Sequence, residues 1–233
     1  MVKGSAHIIM PVKDSIETAA AAIRAVVKSG ESLTVYDDFS SNETAKKLDA
    51  LQAELGIEVV HLSENTTHPS PNYRWILIDA QRRCLENGEN LVIVESDVIV
   101  KESTINTMRS ALKSRIGCIS AVTTDEKGAI NFPYEYARGI REDGVCKKRL
   151  SFCCTLLSNE LLQAYDFEQL DEKKNWYDVH ISHVSRELGF ENILQVTNPV
   201  VHTPHSSRPW KKLKYTNPLL YYWRKWTQGI DKI

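Results

Sequence analysis

The sequence lacks several features that mark large functional classes. Among its 233 residues, 29 Lys and Arg stand against 30 Asp and Glu, and a net charge near zero argues against a nucleic-acid binder held by electrostatic attraction. Apolar runs all fall far short of the roughly 18 to 20 residues that span a bilayer. Internal repeats, low-complexity tracts and clear linkers are also missing. One catalytic domain of ordinary size is therefore expected.

Cysteine is scarce and shows no recognisable spacing. The five cysteines are an odd number without a C-x-x-C pair, and no long apolar amino-terminal stretch precedes them: Cys84, Cys118, Cys146, Cys153 and Cys154. A disulfide framework and a signal peptide are thus not indicated. We expect a reduced, cytoplasmic protein.

Strand-like and helix-like segments alternate in the first part of the chain. His7 to Val12 predicts a strand, and the apolar positions that follow recur at helical spacing up to Gly30. The same unit repeats, with strand Leu33 to Tyr36, a helix from about Glu43, and strand Ile57 to Leu62. Such alternation is typical of a parallel sheet covered by helices. Asp14 and Ser40 each stand three residues before a glutamate and are expected to cap the two helices.

Four short polar segments end or interrupt apolar runs, in the order Asp37-Asp38, Glu95-Ser96-Asp97, Asp178 and His202. In an open parallel sheet, ligands collect beyond the carboxyl ends of the strands. The turns that carry these side chains are therefore expected to meet a ligand.

In these segments the chain resembles the family-2 glycosyltransferases of the GT-A type. The resemblance extends from about His7 to His202 and rests on four segments in the family's order: His7-Ile-Ile-Met-Pro-Val-Lys13, Val35-Tyr-Asp-Asp-Phe-Ser-Ser41, Val92-Ile-Val-Glu-Ser-Asp97 and Val200-Val-His202. Each segment alone is weak, but their order and spacing together are specific.

The resemblance implies a nucleotide-sugar donor whose base lies among Pro11, Lys13 and Asp38. Asp37 would support that turn, and Arg74 would be a further contact. These residue types suit the chemistry, since a carboxylate accepts the imide proton of uracil and an arginine binds phosphate through two hydrogen bonds. The alternative is that Asp37 and Asp38 only begin a helix.

Glu95-Ser96-Asp97 is similar to the D-x-D element that binds the donor diphosphate through Mn²⁺ or Mg²⁺, which take oxygen ligands. Asp97 is the expected metal ligand, Glu95 binds either metal or ribose, and Ser96 belongs to the donor site. In related enzymes a histidine at the place of His202 completes the metal shell or touches the diphosphate, and imidazole suits Mn²⁺. A structural, hydrogen-bonding histidine is the alternative, and His205 lies nearby.

Asp178 occupies the place of the family's general base, which takes the proton from the acceptor hydroxyl during inverting transfer. Tyr177 stands where the family usually has a second acid. The alternative is that Asp178 is a first-turn residue favoured by the helix dipole.

The resemblance predicts the fold, the two halves of the domain and the activity of the protein. We expect a GT-A α/β fold, with a mostly parallel sheet and a smaller antiparallel acceptor-side region. Residues 1–124 would form the nucleotide-sugar half and 125–207 the acceptor half.

The expected activity is inverting, metal-dependent transfer of a sugar, from a UDP-linked donor, to a glycan or lipid-linked acceptor in polysaccharide or glycolipid synthesis. The alternatives are a nucleotidyltransferase and a non-catalytic sugar-binding or nucleotide-sugar-binding relative.

Residues 208–233 form a basic and aromatic tail. Between Arg208 and Trp226 it has six cations and six large aromatic residues but no acid. Such a stretch suits an anionic membrane surface, which would place the protein peripherally at the inner face of the cell membrane. Packing on the domain or on a second subunit is the alternative.

Overall fold

The computed structural model describes residues 4–173, 176–203 and 217–228. Its first part alternates strands and helices as the sequence predicts. The elements are β1 (Ala6–Val12), α1 (Ile16–Val27), β2 (Ser32–Asp37), α2 (Asn42–Leu55), β3 (Glu58–His61), α3 (Tyr73–Asn87) and β4 (Asn90–Val94).

Short elements and one long strand make up the second part. They are β5 (Val98–Ile99), α4 (Thr104–Ala111), β6 (Ile116–Thr124), β7 (Gly144–Val145), β8 (Cys154–Leu157), α5 (Asn159–Ala164), α6 (Tyr177–Glu187), β9 (Glu191–His202) and α7 (Pro218–Gln228). The strand predicted only at Pro199 to Val201 is thus the end of β9. Its start was missed because Asn192, Gln195 and Asn198 interrupt the apolar pattern, although all three are buried.

The described strands form one sheet in the order β3-β2-β1-β4-β8-β6-β9-β5, with β7 also paired to β9. β1 to β4 are mutually parallel where they pair. Because β8 runs antiparallel to both β4 and β6, and β9 runs parallel to β6, β6 and β9 point the same way as β1 to β4. The result is a mixed, mostly parallel sheet in which the antiparallel pairs of the described strands all involve β8 or β9.

Apolar residues cover both faces of this sheet. In β1, Ile8 and Met10 belong to one hydrophobic cluster together with Ile23 of α1. Ile9, on the opposite face, belongs to a second cluster with Ile76 and Leu77 of α3. Burial on both faces explains why the strand reads as a continuous apolar run.

The expected helix caps are wrong by one residue. Ser41, not Ser40, caps α2 by accepting a hydrogen bond from the Thr44 amide. At α1 the cap position is Ser15, which makes no side-chain cap bond. Ser40 instead accepts a hydrogen bond from the Asp14 amide, and the Asp14 carboxylate accepts one from the Ser41 amide. The two side chains join neighbouring turns because β1 and β2 end side by side.

Candidate active site

One edge of the sheet collects the polar residues that the sequence singles out. The carboxyl ends of β1, β2 and β3 meet there, with Val12 paired to Asp37 and Asp37 paired to His61. Glu95 follows the end of β4. β8 starts at the same edge because Cys154 pairs with Val94, and β9 ends there at His202. The topology thus brings together side chains more than 160 residues apart in the chain.

The buried carboxylate of Asp37 stabilises the turn that contains it. Its Oδ1 accepts a hydrogen bond from the Ser40 amide at 3.0 Å, and its Oδ2 lies 2.8 Å from Nδ1 of His61. The other ring nitrogen of His61 lies 2.9 Å from Asp49 Oδ1. Burial lowers the pKa of His61, but the bonds to Asp49 and Asp37 outweigh it, so that the pKa is raised. Both oxygens of Asp37 are therefore engaged within the protein.

Asp38 is also buried, and the segment before α3 holds its carboxylate. Oδ2 accepts hydrogen bonds from the Ser70 hydroxyl at 2.7 Å and from the Asn72 amide at 3.0 Å. Oδ1 accepts one from the Asn72 side chain at 2.8 Å. A carboxylate offers about four acceptor positions, so these three donors leave it one more bond to make. Asp38 is rigidly held and can still recognise a ligand N–H.

The remaining predicted donor residues surround the same turn. Pro11 lies half-buried in β1, and Lys13 donates a hydrogen bond to the Phe39 carbonyl. The half-buried Ser96 lies between the two acids that follow β4.

Arg74 lies on α3, but its guanidinium contacts the loop that precedes α6. It donates to the Leu170 carbonyl at 2.7 Å and to the Glu168 carbonyl at 2.5 Å, and it pairs with the carboxylates of Glu168 and Glu172 at 3.1 and 3.4 Å. These contacts hold the loop against α3. A phosphate contact would require Arg74 to leave them.

Glu95 meets a residue that the sequence did not single out. Its backbone amide donates to the Cys153 carbonyl, and the Cys153 thiol donates to Glu95 Oε2 at 3.2 Å. Burial and the nearby Asp97 raise the pKa of Glu95, against the opposing effects of Cys153 and His202. The carboxyl group therefore lies where negative charge is costly without a compensating cation.

His202 is buried, and its ring is fixed by the backbone. Nδ1 donates to the Phe132 carbonyl at 2.8 Å, because a carbonyl can only accept. Nε2 faces Asp97 Oδ2 at 3.5 Å. In the neutral ring both of these facing atoms are acceptors, so a proton or a metal ion must stabilise the contact. Burial lowers the pKa of His202, but the bond to Asp97, its charge, the Phe132 carbonyl and Glu95 together outweigh burial, so that the pKa is raised.

These residues fit a divalent cation. Oxygen and imidazole ligands suit Mn²⁺, and a metal-binding histidine commonly donates its other N–H to a backbone carbonyl, as His202 does. One ligand atom from each of Glu95, Cys153 and His202 lies within 4.8 Å of the others. Asp97 lies beside His202. The donor set is thus two carboxylates, an imidazole and a thiol.

Asp178 stands in the first turn of α6. Its Oδ1 accepts from the Val179 amide at 2.8 Å. Burial raises the pKa of Asp178, while the Val179 amide, Arg149 and Ser151 lower it less strongly. Asp178 also acts electrostatically on Glu95. A carboxylate with a raised pKa, close to a cation site, can accept a proton from a substrate.

Aromatic rings lie beside Asp178. The ring of Tyr177 stacks on that of Tyr73 at 6.3 Å, and Tyr73 stacks on Phe152 at 6.4 Å. The Arg149 guanidinium lies 5.9 Å from the Trp176 ring. Tyr177, which replaces the expected second acid, therefore contributes an aromatic face instead of a charge.

Four residues that hold the predicted site residues in place were not predicted from the sequence: His61, Asn72, Phe132 and Cys153. Each contacts a predicted site residue from a distant segment, as described above for Asp37, Asp38, His202 and Glu95. Phe132 acts only through its backbone carbonyl, which carries no sequence signal. Cys153 could have been suspected only from the pairing of β8 with β4.

Comparison with solved structures gives the fold. No family model matches the sequence, and no curated protein does so. The structure of S. aureus TarS 1-349 superimposes with a TM-score of 0.64 at 16% identity, over 85% of this chain and 60% of that one. GalNAc-T7 with UDP, GalNAc and Mn²⁺ gives 0.59 at 14% identity, over 88% and 44%. This chain thus spans 60% and 44% of those two structures.

A third neighbour is glucosyl-3-phosphoglycerate synthase from Mycobacterium tuberculosis, in complex with Mn²⁺, UDP and phosphoglyceric acid. It matches with a TM-score of 0.55 at 17% identity, over 90% of this chain and 73% of that one. This chain has the GT-A fold. The GT-A fold places the carboxyl ends of β1, β2 and β4 at one edge, where the residues described above meet.

Proposed function

We propose that this protein is an inverting, divalent-metal-dependent glycosyltransferase of the family-2 type that uses a UDP-linked sugar. The observation that carries the proposal is the cluster of Glu95 and His202, with Asp97 3.5 Å from the His202 ring, at the same sheet edge as the Asp38 turn. A cation site next to a nucleoside pocket suits a nucleoside diphosphate. Neighbours of the same fold bound to UDP and Mn²⁺ support this assignment.

Each group has a role in the proposal. Asp38 accepts the imide N–H of uracil, with Pro11 and Lys13 beside the base and Asp37 holding the turn. Asp97, His202 and Glu95 bind Mn²⁺ or Mg²⁺. A cation held there neutralises the diphosphate of the leaving group.

Asp178 is the general base in this proposal. It takes the proton from the acceptor hydroxyl while the oxygen attacks the anomeric carbon from the face opposite the diphosphate. The acceptor class is a glycan or a lipid-linked sugar.

A thermal-shift experiment tests the donor assignment. UDP, GDP, CMP and dTDP are each added with and without Mn²⁺, since a ligand that binds only the native state raises its stability. We expect the largest shift with UDP and Mn²⁺ together. The same shift with all four nucleotides, or with none, contradicts the proposal. UDP binding without any sugar transfer would identify a non-catalytic relative.

The carboxyl-terminal helix supports a membrane-bound acceptor. Four large residues of α7 recur at helical spacing and are exposed: Leu219, Tyr222, Trp223 and Trp226, with Leu219 85% and Trp226 84% exposed. Arg224 lies among them in sequence. Lys225 follows Arg224, and the other four of the six cations in the predicted basic tail lie outside the described residues: Arg208, Lys211, Lys212 and Lys214. The exposed aromatic face of α7 and the basic composition of the tail favour peripheral association with anionic lipid at the cell membrane. No described helix is long and apolar enough to cross a membrane.

Vesicle sedimentation tests this association. Full-length protein should bind anionic vesicles at low salt, release at high salt and ignore neutral vesicles, because salt screens each attraction of about 1 kcal/mol. Truncation after Ser207 should abolish binding and keep the UDP-dependent thermal shift. If the truncation leaves vesicle binding intact, or instead converts a dimer to a monomer, the tail has another role.

A further inference from the structure

The metal-binding residues include a thiol that hard cations do not favour. Mg²⁺ and Mn²⁺ prefer oxygen ligands, whereas Cys sulfur selects softer or borderline ions such as Zn²⁺. Cys153 is buried at the start of β8, with its sulfur 3.2 Å from Glu95 Oε2. Its sulfur, a Glu95 oxygen and a His202 ring nitrogen lie within 4.8 Å of one another.

Two of the distances between candidate ligand atoms are close to those around a tetrahedral ion. With metal–ligand bonds of about 2.0 to 2.3 Å, pairs of ligand atoms lie roughly 3.3 to 3.7 Å apart. The Cys153–Glu95 contact of 3.2 Å and the Asp97–His202 contact of 3.5 Å are both close to that range. The His202 ring need not rotate to bind an ion, because the hydrogen bond from its Nδ1 to the Phe132 carbonyl already fixes its orientation.

The hydrogen bonds of Cys153 also direct its sulfur towards the other metal-binding residues. The thiol donates to Glu95 and contacts the Ser151 hydroxyl at 3.4 Å. Binding of an ion to sulfur releases the thiol proton to solvent and replaces the S–H···O bond with two metal bonds, one to sulfur and one to the Glu95 oxygen. The neighbouring Cys154 has no such role, since its sulfur faces Met108 in the core.

We propose that Cys153 is a metal ligand, and that the site consequently prefers Zn²⁺ and Co²⁺ to Mg²⁺. This inference rests on the metal site in the proposed function and adds a ligand to it. It implies that Zn²⁺ competes with Mn²⁺ for the site where UDP binds.

Cobalt absorption tests the thiolate bond directly. Metal-free full-length protein is titrated with Co²⁺ alone, and a thiolate bond produces a charge-transfer band in the near ultraviolet. We expect the band in the wild type and its loss on adding one equivalent of Zn²⁺. Cys153→Ser should lose the band, and the matched control Cys154→Ser should keep it. A wild type without the band, or a Cys153→Ser variant that keeps it, overturns the proposal.

Competition between metals gives the second readout. Cys153→Ser should weaken Zn²⁺ binding by roughly tenfold or more, while the affinity for Mn²⁺ changes little because Mn²⁺ gains little from sulfur. Equal losses for both ions, or no loss for Zn²⁺, overturn the proposal. If UDP with Mn²⁺ still stabilises the wild type in that case, the proposed function survives while the role of Cys153 does not.

X-ray absorption at the zinc edge tests the thiolate bond in the wild-type protein, so the result does not depend on whether the variants fold. One sulfur at about 2.3 Å in the zinc shell supports the inference. A shell with only nitrogen and oxygen contradicts it. If the protein binds neither metal nor UDP under any condition, the proposed function fails as well.

Discussion

Two acidic corners lie at the same edge of the sheet, and they differ in how their charges are stabilised. At the Asp37–Asp38 turn, donors from Ser40, Ser70 and Asn72 occupy the carboxylate oxygens. At the Glu95–Asp97 corner, Asp97 faces Nε2 of His202, and Glu95 receives a bond from a weak thiol donor. Neutral donors within the protein hold the carboxylates of the first corner. The second corner brings two acids, an imidazole and a thiol together.

This difference separates positioning from cation binding, although both corners look alike in sequence. A carboxylate surrounded by donors is rigid and contributes to stability. Two acids that lie close together repel each other when both are charged, and a bound cation relieves that repulsion. The following predictions test that contrast, from the largest expected effect to the smallest.

Asp97→Asn should abolish metal-dependent donor binding, because it keeps the shape of the side chain and removes the charge that holds the cation. The metal-free variant should melt at or above the wild-type temperature, since like charge is removed from the corner. Calorimetry with UDP and Mn²⁺ measures the first effect and thermal melting the second. Wild-type donor affinity in the variant would show that Asp97 is not a ligand.

Asp178→Asn should lower turnover by roughly 10²-fold or more and leave donor affinity nearly unchanged, as expected for loss of a general base. Because burial raises the pKa of Asp178, wild-type turnover should fall on acidification at a higher pH than an exposed aspartate would give. Steady-state kinetics across pH checks both points. A large loss of donor affinity would assign Asp178 to the donor site.

Asp38→Asn should destabilise the protein by about 1 to 3 kcal/mol, because an amide group replaces one oxygen and faces the donors from Ser70 or Asn72. Urea unfolding measures the change, with metal-free Asp97→Asn as the matched control at the other corner. We expect loss of stability only for Asp38→Asn. Equal destabilisation at both corners would remove the distinction between them.

His61→Gln should have the smallest effect, at most about 1 kcal/mol, and it should depend on pH. The folded pKa of His61 is raised above its unfolded value, despite burial, by Asp49 and Asp37. Its charged form therefore contributes stability that is complete below about pH 6.5 and is lost as pH rises through the folded pKa. Unfolding at several pH values measures this.

The control is His183→Gln, at an exposed position on α6. The difference between wild type and His61→Gln should shrink as pH rises, whereas His183→Gln should follow the wild type. A constant difference for His61→Gln would mean that its ring acts only by packing or as a neutral hydrogen-bonding group.

The repeating α/β units of the first part could be predicted from local patterns. A strand buried on both faces reads as an apolar run, and an amphipathic helix repeats its apolar positions at 3.6 residues. The predicted strands also placed Asp37, Glu95 and Asp97 at or just beyond strand ends. The long strand β9 was not predicted, because its buried amide side chains interrupt the apolar pattern. One of them, Asn198, donates to the distant Thr104 carbonyl.

By itself, then, the sequence determined which residues end the strands and which chemical groups they carry, because those properties are local. Only the tertiary structure decided which groups face donors and which face acceptors. Asp38 has its donors because the segment before α3 folds over it, and Glu95 meets Cys153 because β8 starts where β4 ends. Arg74 contacts Leu170 because the loop that precedes α6 lies against α3. Such contacts join segments tens of residues apart, and no local pattern encodes the pairing that brings them together.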